Sequence, residues 1–269
     1  MILKRNNFKC LIKNNLIVNR YLYIFIVLML VQIFFWYKYS SIQAELDVVT
    51  TPPNEKTMRA FTFGDNEFYF RLKSFQVQNM GDTFGRFTSL KKYDYKKLYG
   101  WFVELEKLNY MSNYLPSLIA YYFSQTPIKE DKMYVVKFLE QHALKNPEKK
   151  WWWLYQASYI ANYEIRNMDL AIELATKLKN VAPDTAPLWT KQTAGIFLAQ
   201  KGDSCEAIRV ISEVMNELER NNVKSLDEKE EELNYMKFFL ERELNKLNEN
   251  KDFNVEKCFF NNNRSVINE

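Results

Sequence analysis

Leu170-Ala171-Ile172-Glu173 and Glu206-Ala207-Ile208-Arg209 read as one short phrase written twice, with the two alanines 36 residues apart. Stepping back by the same interval reaches Val135, inside a helix-periodic run from Asp131 to Leu144. One more step reaches Tyr99, inside a run from Tyr95 to Leu108. Pro147 and Pro183 keep the interval too, each just beyond one of these runs. A proline there ends a helix, because it has no N–H to give to the preceding turn. A fixed period of roughly 20–50 residues marks a chain built of repeats. One helix cannot bury its apolar stripe, a pair buries part of it, and stacked neighbours bury the remainder. Small residues such as Ala171 and Ala207 let helices approach closely. Gly202-Asp203 supplies the turn inside the last pair, and Asn167 and Asp169 sit near the matching turn one repeat earlier. The expected fold is all-α: stacked helical hairpins.

Composition agrees. The chain has 269 residues, 47% hydrophobic and 16% aromatic, which is too apolar for disorder. Six glycines and seven prolines are too few for a many-stranded fold built on tight turns. The abundance of Lys, Asn, Ile, Phe and Tyr reads as AT-rich coding rather than function. The net charge is +4, and five basic residues (Lys4, Arg5, Lys9, Lys13 and Arg20) lie at the N-terminus. The remainder is near neutral, so a nucleic-acid partner gains no electrostatic support. A single histidine, His142, excludes His-pair metal sites and weakens any triad. Cys10, Cys205 and Cys258 are far apart and form no CxxC. No metal, cofactor or small-molecule substrate is expected.

Residues 1–20 form a basic N-terminus ahead of Tyr21–Tyr37, YLYIFIVLMLVQIFFWY, in which Gln32 is the strongly polar exception. With Lys38 to Ser40, residues 21–40 are long enough as a helix to cross a hydrocarbon core of ~30 Å. Tyr21 and Tyr23 at one end, and Phe35, Trp36 and Tyr37 at the other, suit the two interfaces. A buried globular helix is the alternative, against which stands the lack of a polar face. A cleaved signal peptide is another, with Ser41-Ile42-Gln43-Ala44 as a poor cleavage site. Basic residues before the span outnumber those just after it, so the positive-inside rule puts the N-terminus in the cytoplasm. The expectation is a single-pass inner-membrane protein with its C-terminal domain in the periplasm.

Residues 41–65, with Thr50-Thr51-Pro52-Pro53, read as a linker, and 66–250 as the repeat domain. Phe68, Leu72 and Phe75 recur at helical spacing. Gly81 to Lys92 reads as a loop. Gly81-Asp82-Thr83-Phe84-Gly85-Arg86 lacks a following Gly-Lys-Ser/Thr and is better taken as a connector than as a phosphate cradle. The last helix starts near Ser225, where Ser225-Leu226-Asp227-Glu228 fits a capping box. Its stripe of Leu226, Leu233, Met236, Leu240, Leu244 and Leu247 suits a helix that caps the stack, or else a coiled-coil partner. Residues 251–269 read as a flexible tail.

Lys201-Gly202-Asp203-Ser204-Cys205-Glu206-Ala207-Ile208 resembles the interhelix turn and second helix of a tetratricopeptide (TPR) repeat. Trp189 and Tyr155 match the family's early aromatic position, and Pro183 its closing proline. The likeness is good over residues 151–216 and weaker over 94–150. It departs in its period, 36 against the usual 34, in Tyr159, Val135 and Tyr99 where small residues are preferred, and in the missing proline after the last second helix. The plan resembles single-span bacterial TPR membrane proteins. The resemblance implies a concave partner-binding surface on the first helices, here Trp153, Gln156, Ile160 and Tyr163, then Thr190, Ala194 and Phe197. The basic residues of a carboxylate clamp are not evident, so capture of a C-terminal chaperone tail is disfavoured.

Trp151-Trp152-Trp153 points three ways from a helix, so one or two should pack inside, unless the run anchors a partner peptide. Lys149 and Lys150 read as solvated. His142 should meet the negative end of a helix dipole. Cys205 and Cys258 could pair in an oxidising compartment. Glu104 and Glu106 are two apart and face different ways, a poor acid/base pair. No enzyme is indicated. The expected function is a membrane-anchored protein–protein interaction scaffold of the bacterial cell envelope. The alternatives are a structural oligomer joined through the anchor or the last helix, and an envelope enzyme using loops such as 81–92.

Overall fold

A computed structural model of the chain describes residues 3–40, 47–83, 85–220 and 226–249. The described residues are almost wholly helical, apart from a two-residue hairpin, β1 (Asp82–Thr83) against β2 (Arg86–Phe87). Two compact units divide the chain at Asp47.

Among the described residues, the first unit consists mainly of one helix, α1 (Leu3–Tyr39). Its portion Arg20–Tyr39 has a mean hydropathy of 1.7 and is long and apolar enough to cross a membrane, with none of it buried in the protein. A globular core helix would bury that surface.

The second unit begins with α2 (Glu55–Phe61) and α3 (Asn66–Gln78), capped by the side chains of Asn54 and Asp65. Helix α2 and the segment from Val48 correct the described part, 47–65, of the linker expected over 41–65; residues 41–46 lie outside the described residues. Val49 and Met58 are core residues, and the Trp101 indole N–H donates to the Thr50 carbonyl at 2.7 Å. Thr50-Thr51-Pro52-Pro53 is therefore docked backbone, with Pro52 lying where any Cβ on Gly100 would collide with it.

The remaining helices are α4 (Tyr95–Glu106), α5 (Tyr114–Tyr121), α6 (Lys129–Lys145), α7 (Pro147–Tyr159), α8 (Met168–Val181), α9 (Trp189–Lys201), α10 (Ser204–Arg220) and α11 (Leu226–Glu249). From α6 onward each packs on the next. Alternate helices also touch. Lys177 of α8 pairs with Glu140 of α6 at 2.7 Å, and Lys179 of α8 with Glu213 of α10 at 2.8 Å. The 36-residue interval runs through the core: Phe102, Phe138, Leu174 and Val210 are all buried, one each on α4, α6, α8 and α10. Pro147 and Pro183 follow α6 and α8 directly, and Pro147 also opens α7. Gly202 ends α9 at φ 92°, and the Asp203 side chain caps the Glu206 amide of α10. Gly195 lets α9 close on α10, since a Cβ there would meet Ile211 at 2.7 Å.

Helix α11 starts beside the expected Ser225, but the capping box at Ser225 and the tail 251–269 lie outside the described residues. Of the α11 stripe, Met236 is buried and Leu233 and Leu240 are half-buried against the core.

Candidate functional site

The seven surface positions implied by the TPR resemblance do not form one open face. Trp153, Ile160, Thr190 and Phe197 are 5%, 1%, 0% and 3% exposed, and Ala194 is buried with them. They are core, which corrects their assignment as partner contacts. Gln156 is half-buried, and Tyr163 stands exposed.

The open face of α7 lies one residue round. Trp152, Tyr159 and Tyr163 are exposed and Tyr155 is half-buried, forming a ridge at steps of three and four residues. Neighbouring rings touch along it. Trp152 and Tyr155 lie 5.4 Å apart between centroids, Tyr155 and Tyr159 6.4 Å, and Tyr159 and Tyr163 4.7 Å. Trp189 of α9 stands edge-on to Tyr155 at 4.6 Å, and Phe197 lies 6.2 Å from Tyr163. On the other side, Tyr121 of α5 accepts a hydrogen bond from the Trp152 indole at 3.1 Å. The Gln200 side chain donates to the Tyr163 hydroxyl at 3.3 Å and accepts from Asn162 at 2.9 Å. Burial beneath its neighbours, with Tyr163 and Tyr159 adding to it, pushes the Tyr155 hydroxyl above its ordinary pKa.

Why the ridge stays straight is a matter of backbone. Residues Ile160–Ile165 continue α7 as a π-helical turn, ending at Arg166 in the left-handed conformation. In an α-helix a four-residue step overshoots the turn of ~3.6 residues. The wider π turn makes the same step fall short, so Tyr163 comes back into line with Tyr155 and Tyr159. Such single turns within α-helices are frequent at functional sites. Trp153 and Gln156 lie before this turn, so the sequence misplaces the face through the rotation of α7 itself and not through the π turn; Tyr163, inside the turn, is exposed as the resemblance implies.

Beneath the ridge, the tryptophan run divides as the packing argument expects: Trp153 inside, Trp151 half-buried and Trp152 outside. Lys150 is not solvated. It is 2% exposed, and its ammonium donates at 2.8 Å to both the Met111 carbonyl and the Asn113 side chain. Desolvation holds its pKa below the ordinary lysine value.

His142 does lie in the last turn of α6, but it is buried, and its Nδ1 meets the Glu106 carboxylate at 2.6 Å. Lys145 bonds the other carboxylate oxygen. With Glu106 ionised, Nδ1 carries the ring proton. Burial alone would raise the Glu106 pKa; the His142 and Lys145 hydrogen bonds outweigh it and hold it low. Glu106 and His142 are 36 apart, and the next two steps reach Leu178 and Val214, both buried. The hydrogen-bonded Glu106 and His142 thus occupy core positions that α8 and α10 fill with aliphatic side chains.

The 81–92 loop forms the small hairpin and a 3₁₀ turn at Leu90–Lys92, and among the described residues no cluster of metal-ligating side chains occurs. Cys205 is disulfide-bonded, and Cys258, with which it could pair, lies outside the described residues.

Neither a family model, nor a curated protein, nor a solved structure matches this chain.

Proposed function

We propose that this chain is a membrane-anchored, TPR-like scaffold of the bacterial cell envelope that holds a protein or peptide partner along the α7 ridge. The observation that carries the reading is the run Trp152, Tyr155, Tyr159 and Tyr163, continued by Trp189. Trp and Tyr combine a large apolar body with a polar handle, and they dominate the energetics of protein interfaces. An exposed row of them in a helical protein suits an extended polypeptide better than a compact ligand.

The repeat reading is supported by successive packing from α6 to α11 and by the 36-residue columns of buried side chains. The length and apolarity of Arg20–Tyr39 favour a membrane span, and the basic residues before it favour a cytoplasmic N-terminus. The disulfide at Cys205 fits an oxidising compartment such as the periplasm.

The test is crosslinking of the intact, anchored protein in cells, followed by mass spectrometry. The expected result is one reproducible partner whose recovery falls at least about tenfold when Tyr159 and Tyr163 become alanine. Equal recovery from that variant would remove the ridge as the binding surface.

A further inference from the structure

The second unit carries another exposed aromatic surface, of different chemistry. On α3, Phe68, Leu72 and Phe75 form the stripe visible in the sequence, yet this stripe faces outward. The buried face of α3 is Tyr69, Phe70, Ser74 and Val77. Phe61 at the end of α2 and Phe63 in the following turn are exposed as well. Phe61, Phe63, Phe68 and Phe75 are 58%, 92%, 64% and 61% exposed. Phe87, in strand β2 of the small hairpin, is exposed as well.

Phe63 is held there by construction. Its φ is 48°, in the left-handed region that a bulky side chain rarely adopts. The turn is tied on both sides: the Thr62 hydroxyl donates to the Arg59 carbonyl at 2.9 Å and accepts from the Gly64 amide at 3.3 Å, and the Asp65 amide donates to the Thr62 carbonyl at 2.9 Å. Strain kept in place by its surroundings, presenting a nearly naked phenyl ring, is a reason to look for what the ring meets.

We infer that the phenylalanine face of α2 and α3 is a membrane-surface seat, whose rings enter the interfacial zone of a lipid bilayer. Three observations select lipid over a protein partner. These side chains have no polar handle, unlike the Tyr and Trp of the α7 ridge, and so many exposed phenyl rings on two successive helices mark an interaction site. Residues 48–92 hold seven basic against four acidic side chains, a balance that suits anionic headgroups. Covalent reach is also short. Only eight residues separate the end of α1 at Tyr39 from Val48, where the second unit begins, which is a tether of at most ~30 Å. If α1 spans a bilayer, that bilayer is always within reach of the domain. The inference therefore rests in part on the membrane-span reading.

The experiment uses the full chain in vesicles of phosphatidylcholine and phosphatidylglycerol doped with a phospholipid carrying a photoreactive acyl chain. After illumination, labelled peptides are mapped by mass spectrometry. Label is expected on Phe61–Phe75 as well as on Arg20–Tyr39. In the variant F63S/F68S/F75S, label on the domain should fall at least about tenfold while label on α1 stays, since all three rings are exposed and the fold, checked by circular dichroism, is retained. Label on α1 with none on Phe61–Phe75 of the wild-type chain would overturn the seat. Protection of those rings from aqueous footprinting without lipid label would assign the face to a protein and overturn it too. Label on the face but not on α1 would uphold the seat and fail the span. Label on neither would fail both.

Discussion

The α7 ridge and the phenylalanine face of α2 and α3 are both rows of exposed aromatic side chains on a helix, but they differ in what surrounds each ring. On the ridge, the Trp152 indole donates to Tyr121 and the Tyr163 hydroxyl accepts from Gln200, so orientation is fixed by polar contacts before any partner arrives. On the other face the rings carry no donor or acceptor, and the most exposed of them, Phe63, is placed by its backbone alone. A preorganised amphipathic row favours a directional partner, because less side-chain freedom is lost on binding. A row of phenyl rings suits a solvent that asks only for apolar area. Equal exposure therefore does not imply equal function.

The comparison can be broken most forcefully at the joint between the two regions. Helix α3 packs on α4, α4 on α6, and α6 on α7. Phe102 of α4 is fully buried against Phe123 and Phe138, with centroids at 5.3 and 5.6 Å. Phe102→Ala should lower stability by about 3–5 kcal/mol in denaturant unfolding and loosen both regions together. Separate melting of the two regions would mean that they are independent bodies.

Glu106→Gln should cost about 1–3 kcal/mol, because Lys145 and the His142 ring lose a charged acceptor. Its pH dependence has a definite sign. His142 and Lys145 hold the Glu106 carboxyl below the ordinary glutamate range in the folded protein, so it adds stability that is complete above the ordinary glutamate value and is lost as pH falls through the lower folded value. The wild-type melting temperature should drop over that acid range more steeply than that of Glu106→Gln.

Next comes the ridge itself. Tyr159→Ala should weaken partner binding about tenfold, yet leave unfolding within about 0.5 kcal/mol, because the ring is exposed. The smallest effect should come from Phe63→Gly. Glycine takes φ 48° without steric cost, so the fold should gain about 0.5–1 kcal/mol in denaturant unfolding even as lipid labelling of the face declines. Destabilisation instead would show that the Phe63 ring contributes packing to the domain.

Much of the fold was legible because a 36-residue rhythm is written in residue types that must be buried. Ala171 and Ala207 sit in the core at zero exposure, and the same step links Phe102 to Phe138, Leu174 and Val210. Glu106 and His142 obey that step, and this signal could have joined them; weighing Glu106 only against Glu104 hid it. The docking of Val49 and Thr50 was not legible, since irregular backbone has no period and its burial depends on the distant Trp101. The stripe Phe68, Leu72 and Phe75 shows a related limit. Helical spacing reveals that a face exists, but burial depends on whether another element covers it. The covered face of α3 includes Ser74 and so reads more weakly. The ridge lies one residue round from the face implied at Trp153 and Gln156, because helical spacing gives the period of a stripe but not which of two neighbouring stripes another element covers.

The most direct measurement places a photoreactive benzophenone amino acid at position 159 of the full chain in its native host, with the same group at exposed Asn180 as the control. A single protein adduct at position 159, absent at 180 and competed by a peptide from the captured partner, is the predicted result. Equal adducts at both positions, or none at 159 while the anchored protein is present at normal level, would contradict a binding ridge on α7.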